Sequence, residues 1–209
     1  MNDNLLAGRQ RIISLDICKG ACMLMVILGH QFEKTGLSFP LQFIQTFHMP
    51  LFFMIAGYFI SDSLTVKEFT IKRVKRLLIP YFFICLLAAI LCSMVVWLKD
   101  HQLTSATLEF IKRIWITVYG SGSGHGSILC RSEIGMMWYL LGLLWSSIIV
   151  KSISKNKMSE IIALLISSVA IGTTTIFGWI PLSIQNGLGA VAWVLARLLY
   201  QEKEAITRD

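Results

Sequence analysis

The sequence predicts an all-α, polytopic transmembrane helical bundle of about six spans with both termini cytoplasmic. Three observations carry that expectation. Mean hydropathy is +0.67, with 55% hydrophobic and only 15% charged residues in 209, where a soluble domain carries about 25% charged. Several apolar runs approach the ~20 residues a helix needs to cross a bilayer. These runs are continuous, without alternation of period two, so helices rather than barrel strands satisfy the backbone in lipid.

The first span covers residues 13–30 and includes SLDICKGACMLMVILGH; the second covers residues 43–60. The third, residues 77–98 (LLIPYFFICLLAAILCSMVVWL), is the most apolar. Residues 134–150 form a short fourth span, 161–180 a fifth and 182–200 a sixth. In the fifth, Thr173, Thr174 and Thr175 can bond the carbonyls of their own helix. Segment 104–119 (TSATLEFIKRIWITVY) is amphipathic, too short and too charged to span, and is expected to lie at the outer interface. The following GSGSGHGS, residues 120–127, fits neither a phosphate loop nor a nucleophile elbow and reads as a flexible outer loop.

Loop charges orient the spans. Arg9 and Arg11 precede the first; Lys67, Lys72, Arg73, Lys75 and Arg76 separate the second from the third; Lys151, Lys155 and Lys157 separate the fourth from the fifth. With six spans these clusters share one side, which the positive-inside rule makes cytoplasmic. The net charge of +7 therefore reads as membrane flanks and not as a nucleic-acid surface. Five cysteines, an odd number, lie mostly in apolar runs and read as packing residues; no metal set is expected. No signal peptide is expected, because Asp16 and Lys19 interrupt the first run.

Charges inside spans are costly and face protein or water. On a helix advancing ~100° per residue, Lys19 and His30 lie about 60° and 40° behind Asp16, on one face, with His30 roughly 16 Å along the axis from Lys19. Asp16 and Lys19 also fit an i,i+3 ion pair snorkelling at a helix end. Arg73 and Arg76, also i,i+3, suit bidentate phosphate recognition as well as an ordinary positive flank. Pro80 cannot donate to the Arg76 carbonyl, so a helix is expected to start or kink there. In FHMPLFFMIAGYF, residues 47–59, His48 fits a structural histidine bonded to backbone or a catalytic one, Pro50 frees a carbonyl, and Gly57 permits close helix approach.

Taken in order, DICKGACMLMVILGH with Lys19 and His30, FHMPLFFMIAGYF, RVKRLLIPY from Arg73 to Tyr81, and MWYL at residues 137–140 resemble the acyltransferase-3 family of integral membrane acyltransferases, over roughly residues 11–200. FHMP looks most like its fucose 4-O-acetylase-like and polysaccharide O-acetyltransferase branch. The resemblance implies transfer of an acyl group, acetyl above all, from cytoplasmic acyl-CoA to a hydroxyl of a cell-surface sugar or polysaccharide precursor. Lys19, Arg73 and Arg76 would bind acyl-CoA, His30 would act as general base, and His48 would orient His30 or the substrate. Asp16 and Trp138 would support them. Acyl-CoA enters as donor substrate with no bound cofactor; the bilayer and the sugar acceptor complete the expected partners, in a multi-pass protein of the cell membrane.

Two departures from the family pattern stand out. Its first basic position is commonly Arg, and Lys19 keeps the charge without the fork. Its members are usually longer, so residues 1–209 read as one membrane-embedded domain matching the N-terminal two thirds of a longer one, working with a missing C-terminal segment or a second copy. Two other classes stay open: a transporter or exporter of an acylated product, which also places charges on one face of a broken helix, and a non-catalytic membrane binding fragment. Thiol release from acyl-CoA with a sugar acceptor separates all three.

Overall fold

The longest helix begins with a reciprocal cap. Thr65 is extended, and its hydroxyl oxygen accepts from the Glu68 N–H at 3.3 Å while the Glu68 carboxylate accepts from the Thr65 N–H at 3.0 Å and hydroxyl at 2.8 Å. This cap starts α3, Val66–Asp100, well ahead of Pro80 in the computed structural model. Of the expectation that a helix starts or kinks at Pro80, the start is corrected: α3 continues through Pro80, which cannot donate to the Arg76 carbonyl. The cap upstream fixes the start, and an apolar run on both sides of the proline sustains the helix.

The structure describes residues 13–35, 38–60, 63–122, 134–153, 157–177 and 180–206. They are helical, as expected, with no strand among them. The chain forms two units, Met1–Ile55 and Ala56–Asp209. The first holds α1, Ile13–Thr35, and most of α2, Ser38–Tyr58, which runs through Pro50. The second holds the last turn of α2, then α3, α4 (Leu103–Tyr119), α5 (Trp138–Ile153), α6 (Lys157–Phe177) and α7 (Ile184–Ile206).

α3 and α4 form an antiparallel hairpin turned by His101, left-handed at φ 52°, whose N–H donates to the Trp97 carbonyl at 2.8 Å. The Tyr81 hydroxyl crosses to the Thr117 carbonyl at 2.6 Å. On α3 only Phe69, Leu77, Tyr81, Cys85 and Ala89 are buried, while Ile79, Phe82, Phe83, Leu86, Leu87, Ile90 and Leu91 face outward. Such a helix, apolar all round yet exposed, suits lipid better than water.

α5, α6 and α7 pack together in the second unit. The Ser167 hydroxyl donates to the Gly189 carbonyl at 2.8 Å, and the Trp145 indole N–H donates to the Leu182 carbonyl at 3.0 Å. Gly187 has no room for a side chain, since a Cβ would strike the Trp145 Cβ and lie 3.2 Å from the Gly142 carbonyl oxygen. Gly57 is equally enclosed: its Cβ would lie 2.6 Å from the Val194 oxygen, the close approach expected of it.

Among the described residues two helical stretches are long and apolar enough to cross a membrane, Val66–Asp100 and Gly135–Ile153. Phe47–Tyr58 and Met158–Ala170 are shorter apolar helices. Segment 104–119 is α4, as its amphipathic pattern requires; Leu108, Ile111, Trp115 and Val118 face outward, and Glu109 pairs with Arg113 at 2.8 Å. Of the loop 120–127, Gly120 is the left-handed C-cap of α4 at φ 71°, and residues 123–127 lie outside the described residues.

Candidate functional site

In the first unit, α1 places Asp16 and Lys19 one turn apart, and the two charges meet at 3.5 Å. Both stay half-exposed, the lysine at 39% and the aspartate at 36%. His30 takes a helical position on the same α1, and its side chain lies outside the described residues. On α2, His48 is buried and its Nδ1 lies 2.7 Å from the Ile44 carbonyl oxygen. A carbonyl only accepts, so Nδ1 carries the hydrogen, and Nε2 remains to accept or take up a proton. This is the backbone-bonded histidine that the sequence allowed, and the same bond fixes the tautomer that a base would use.

In the second unit the two arginines differ. Arg73 is half-buried; its guanidinium lies over the Phe69 ring, 5.2 Å from the centroid, and donates to the Ala56 carbonyl at 3.5 Å. The last carbonyls of a helix lack intrahelical donors, and a cation there also meets the negative end of the dipole. The Ala56 carbonyl also accepts from the Phe59 N–H at 3.1 Å, so Arg73 adds a second, longer donor at the end of α2. Arg76, a turn further along α3, is exposed, as are Lys67, Lys72 and Lys75. Trp138 opens α5 and is half-buried, after the turn Gly135–Met137. The structure brings Asp16 and Lys19 together and sets Arg73 and Arg76 on neighbouring turns.

Two polar features escaped the sequence reading. Lys151 was expected in a loop, but it belongs to α5 and is 3% exposed. Gln185 and Asn186, in the first turn of α7, carry buried amide atoms. Polar residues beside an apolar run were the available signal, and in a run of 20 residues they read as span edges.

The match to known proteins decides the family. The acyltransferase-3 family, described as an acyltransferase domain, matches residues 12–200. The chain belongs to this family. Every candidate residue from Asp16 to Trp138 falls inside the matched stretch. Among curated relatives of this acyltransferase-3 chain, "Nodulation protein NolL" of Mesorhizobium japonicum is 28% identical over 206 residues, covering 88% of the chain and 49% of the relative. "Nodulation protein NolL" of Sinorhizobium fredii is 26% identical over 155 residues, covering 69% of the chain and 37% of the relative. The chain thus spans half or less of the length of these relatives. No solved structure matches it.

Proposed function

We propose that this acyltransferase-3 chain works in the cell membrane, crossing it about six times with both termini inside, and moves an acetyl or other acyl group from acyl-CoA to a sugar hydroxyl. The family match over residues 12–200 carries the reading. In it, Lys19, Arg73 and Arg76 meet the phosphates of acyl-CoA, with Asp16 holding Lys19 as their 3.5 Å contact suggests. The thioester lies along the polar face of α1. His30 takes the hydroxyl proton as the oxygen attacks the thioester carbon; the C–S bond then breaks, and the CoA thiolate leaves and takes up a proton. His48 orients His30 or the sugar, and Trp138 supports the site.

The test is thiol release from acetyl-CoA on addition of a sugar, in membranes bearing the protein. His30→Ala and His30→Gln should each lower turnover about 10²–10⁴-fold while acetyl-CoA still binds. An amide keeps hydrogen-bonding capacity but cannot take the proton, so an active His30→Gln protein removes the base from this scheme.

A further inference from the structure

α7 begins at a strained corner. Ile180 is extended, Pro181–Ser183 forms a 3-10 turn, and Leu182 and Ser183 sit at φ 58° and 50°, in the left-handed region that residues with a Cβ seldom occupy. Two hydrogen bonds hold the corner in place. The Ser183 hydroxyl donates to the Gly120 carbonyl at 2.5 Å, and the Trp145 indole holds the Leu182 carbonyl at 3.0 Å.

The first turn beyond this corner carries one amide that the fold leaves wholly unpaired, Gln185, and beside it an unpaired amide nitrogen of the half-buried Asn186. Gln185 is 3% exposed, and both its Nε2 and its Oε1 are sealed from solvent without a hydrogen-bond partner. The Asn186 Nδ2 is in the same condition. The backbone N–H groups of a first helical turn also lack intrahelical acceptors. Because Cα–Cβ bonds tilt toward a helix's N-terminus, both side chains lean toward that end, about 100° apart around the axis. A buried polar atom left unpaired keeps its whole desolvation penalty, which a suitable guest removes.

The chemistry of the free atoms narrows the guest. An anion would suit the amide hydrogens but oppose Oε1, and a cation would do the reverse. A neutral hydroxyl donates to one and accepts from the other. We propose that Gln185 and Asn186 bind neighbouring hydroxyls of the neutral sugar that accepts the acyl group. This site rests on the acyl-transfer reading for its occupant's role, but its binding can be measured alone.

Binding of methyl α-L-fucoside and methyl α-D-glucoside to the purified protein, followed by thermal shift, tests it. At least one glycoside should stabilise the wild-type protein, and Gln185→Met should weaken that binding at least tenfold. The same variant, which replaces unpaired amide atoms with apolar ones of similar shape, should be as stable as wild type or more so without sugar. Asn186→Leu carries the same test if Gln185→Met does not accumulate. A wild-type protein that binds neither glycoside, or a variant that binds as wild type does, overturns the site. Glycoside binding lost in the variant, with no thiol release from acetyl-CoA by wild type, keeps the site and removes the acyl-transfer reading instead.

Discussion

The Arg73 guanidinium reaches the Ala56 carbonyl oxygen at 3.5 Å, so one of two arginines three residues apart already has a structural duty. Arg76, exposed on the next turn, does not share it. Arg76→Ala should weaken acetyl-CoA binding roughly ten- to a hundredfold, the worth of a charge-assisted hydrogen bond, and leave thermal stability alone. Arg73→Ala should lower stability as well as binding. Paired measurement of CoA affinity and melting temperature checks this; unchanged stability in Arg73→Ala would show that the contact with α2 holds nothing.

Gly57→Ala should destabilise the protein by about 1–3 kcal/mol, the usual cost of forcing a group into a filled space. The obstruction is the Val194 oxygen, 2.6 Å from the new carbon and part of a helix backbone, which cannot step aside as a side chain can. A denaturation series in detergent would register the loss. A wild-type midpoint would mean that the two backbones part freely.

Tyr81→Phe keeps the packing of a fully buried ring and removes the 2.6 Å bond to the Thr117 carbonyl. The orphaned carbonyl should cost about 1–3 kcal/mol. Protease susceptibility at the α3–α4 hairpin should rise with it, and an unaltered digestion pattern would count against the bond as a brace.

The cap at Thr65 predicts a response to acid. Hydrogen bonds from the Thr65 hydroxyl and N–H hold the exposed Glu68 carboxyl below its ordinary value, ahead of the apolar run 77–98. A carboxyl lowered on folding contributes stability above its unfolded pKa, about 4.3, and loses it as pH falls through the folded value. Exchange of the Glu68 and Phe69 amides, which donate to the Thr65 hydroxyl and carbonyl, should therefore be slow at pH 7 and quicken in acid beyond the intrinsic change. Glu68→Gln should flatten that dependence; a variant that still responds to acid as wild type does would assign the effect elsewhere.

Helical class was legible because the apolar runs are long and uninterrupted, as in residues 77–98. The start of α3 was not, because Pro80 is a louder signal than Thr65 and Glu68, whose pairing depends on a backbone turn that must exist first. The Asp16–Lys19 contact was readable from helical spacing alone. Arg73 was readable as a cation but not as the keeper of Ala56, since the two lie 17 residues apart and only the fold joins them. Lys151 read as a loop charge because composition marks charges at the ends of apolar runs, and burial depends on which helices close over them.

The buried positions of α3 fall mostly four apart, from Phe69 through Leu77, Tyr81 and Cys85 to Ala89. A helix repeats every 3.6 residues, so each step of four turns the seam by about 40°, and from first to last it winds about 200° around the axis. No single straight neighbour can cover such a seam. Phe69, beneath the Arg73 guanidinium that reaches Ala56, lies low on the winding line, and further up Tyr81 meets Thr117 of α4 and, with Cys85, Leu141 of α5. What is left uncovered is the larger part of the helix surface, and its edge along the seam turns by the same angle over the length of α3.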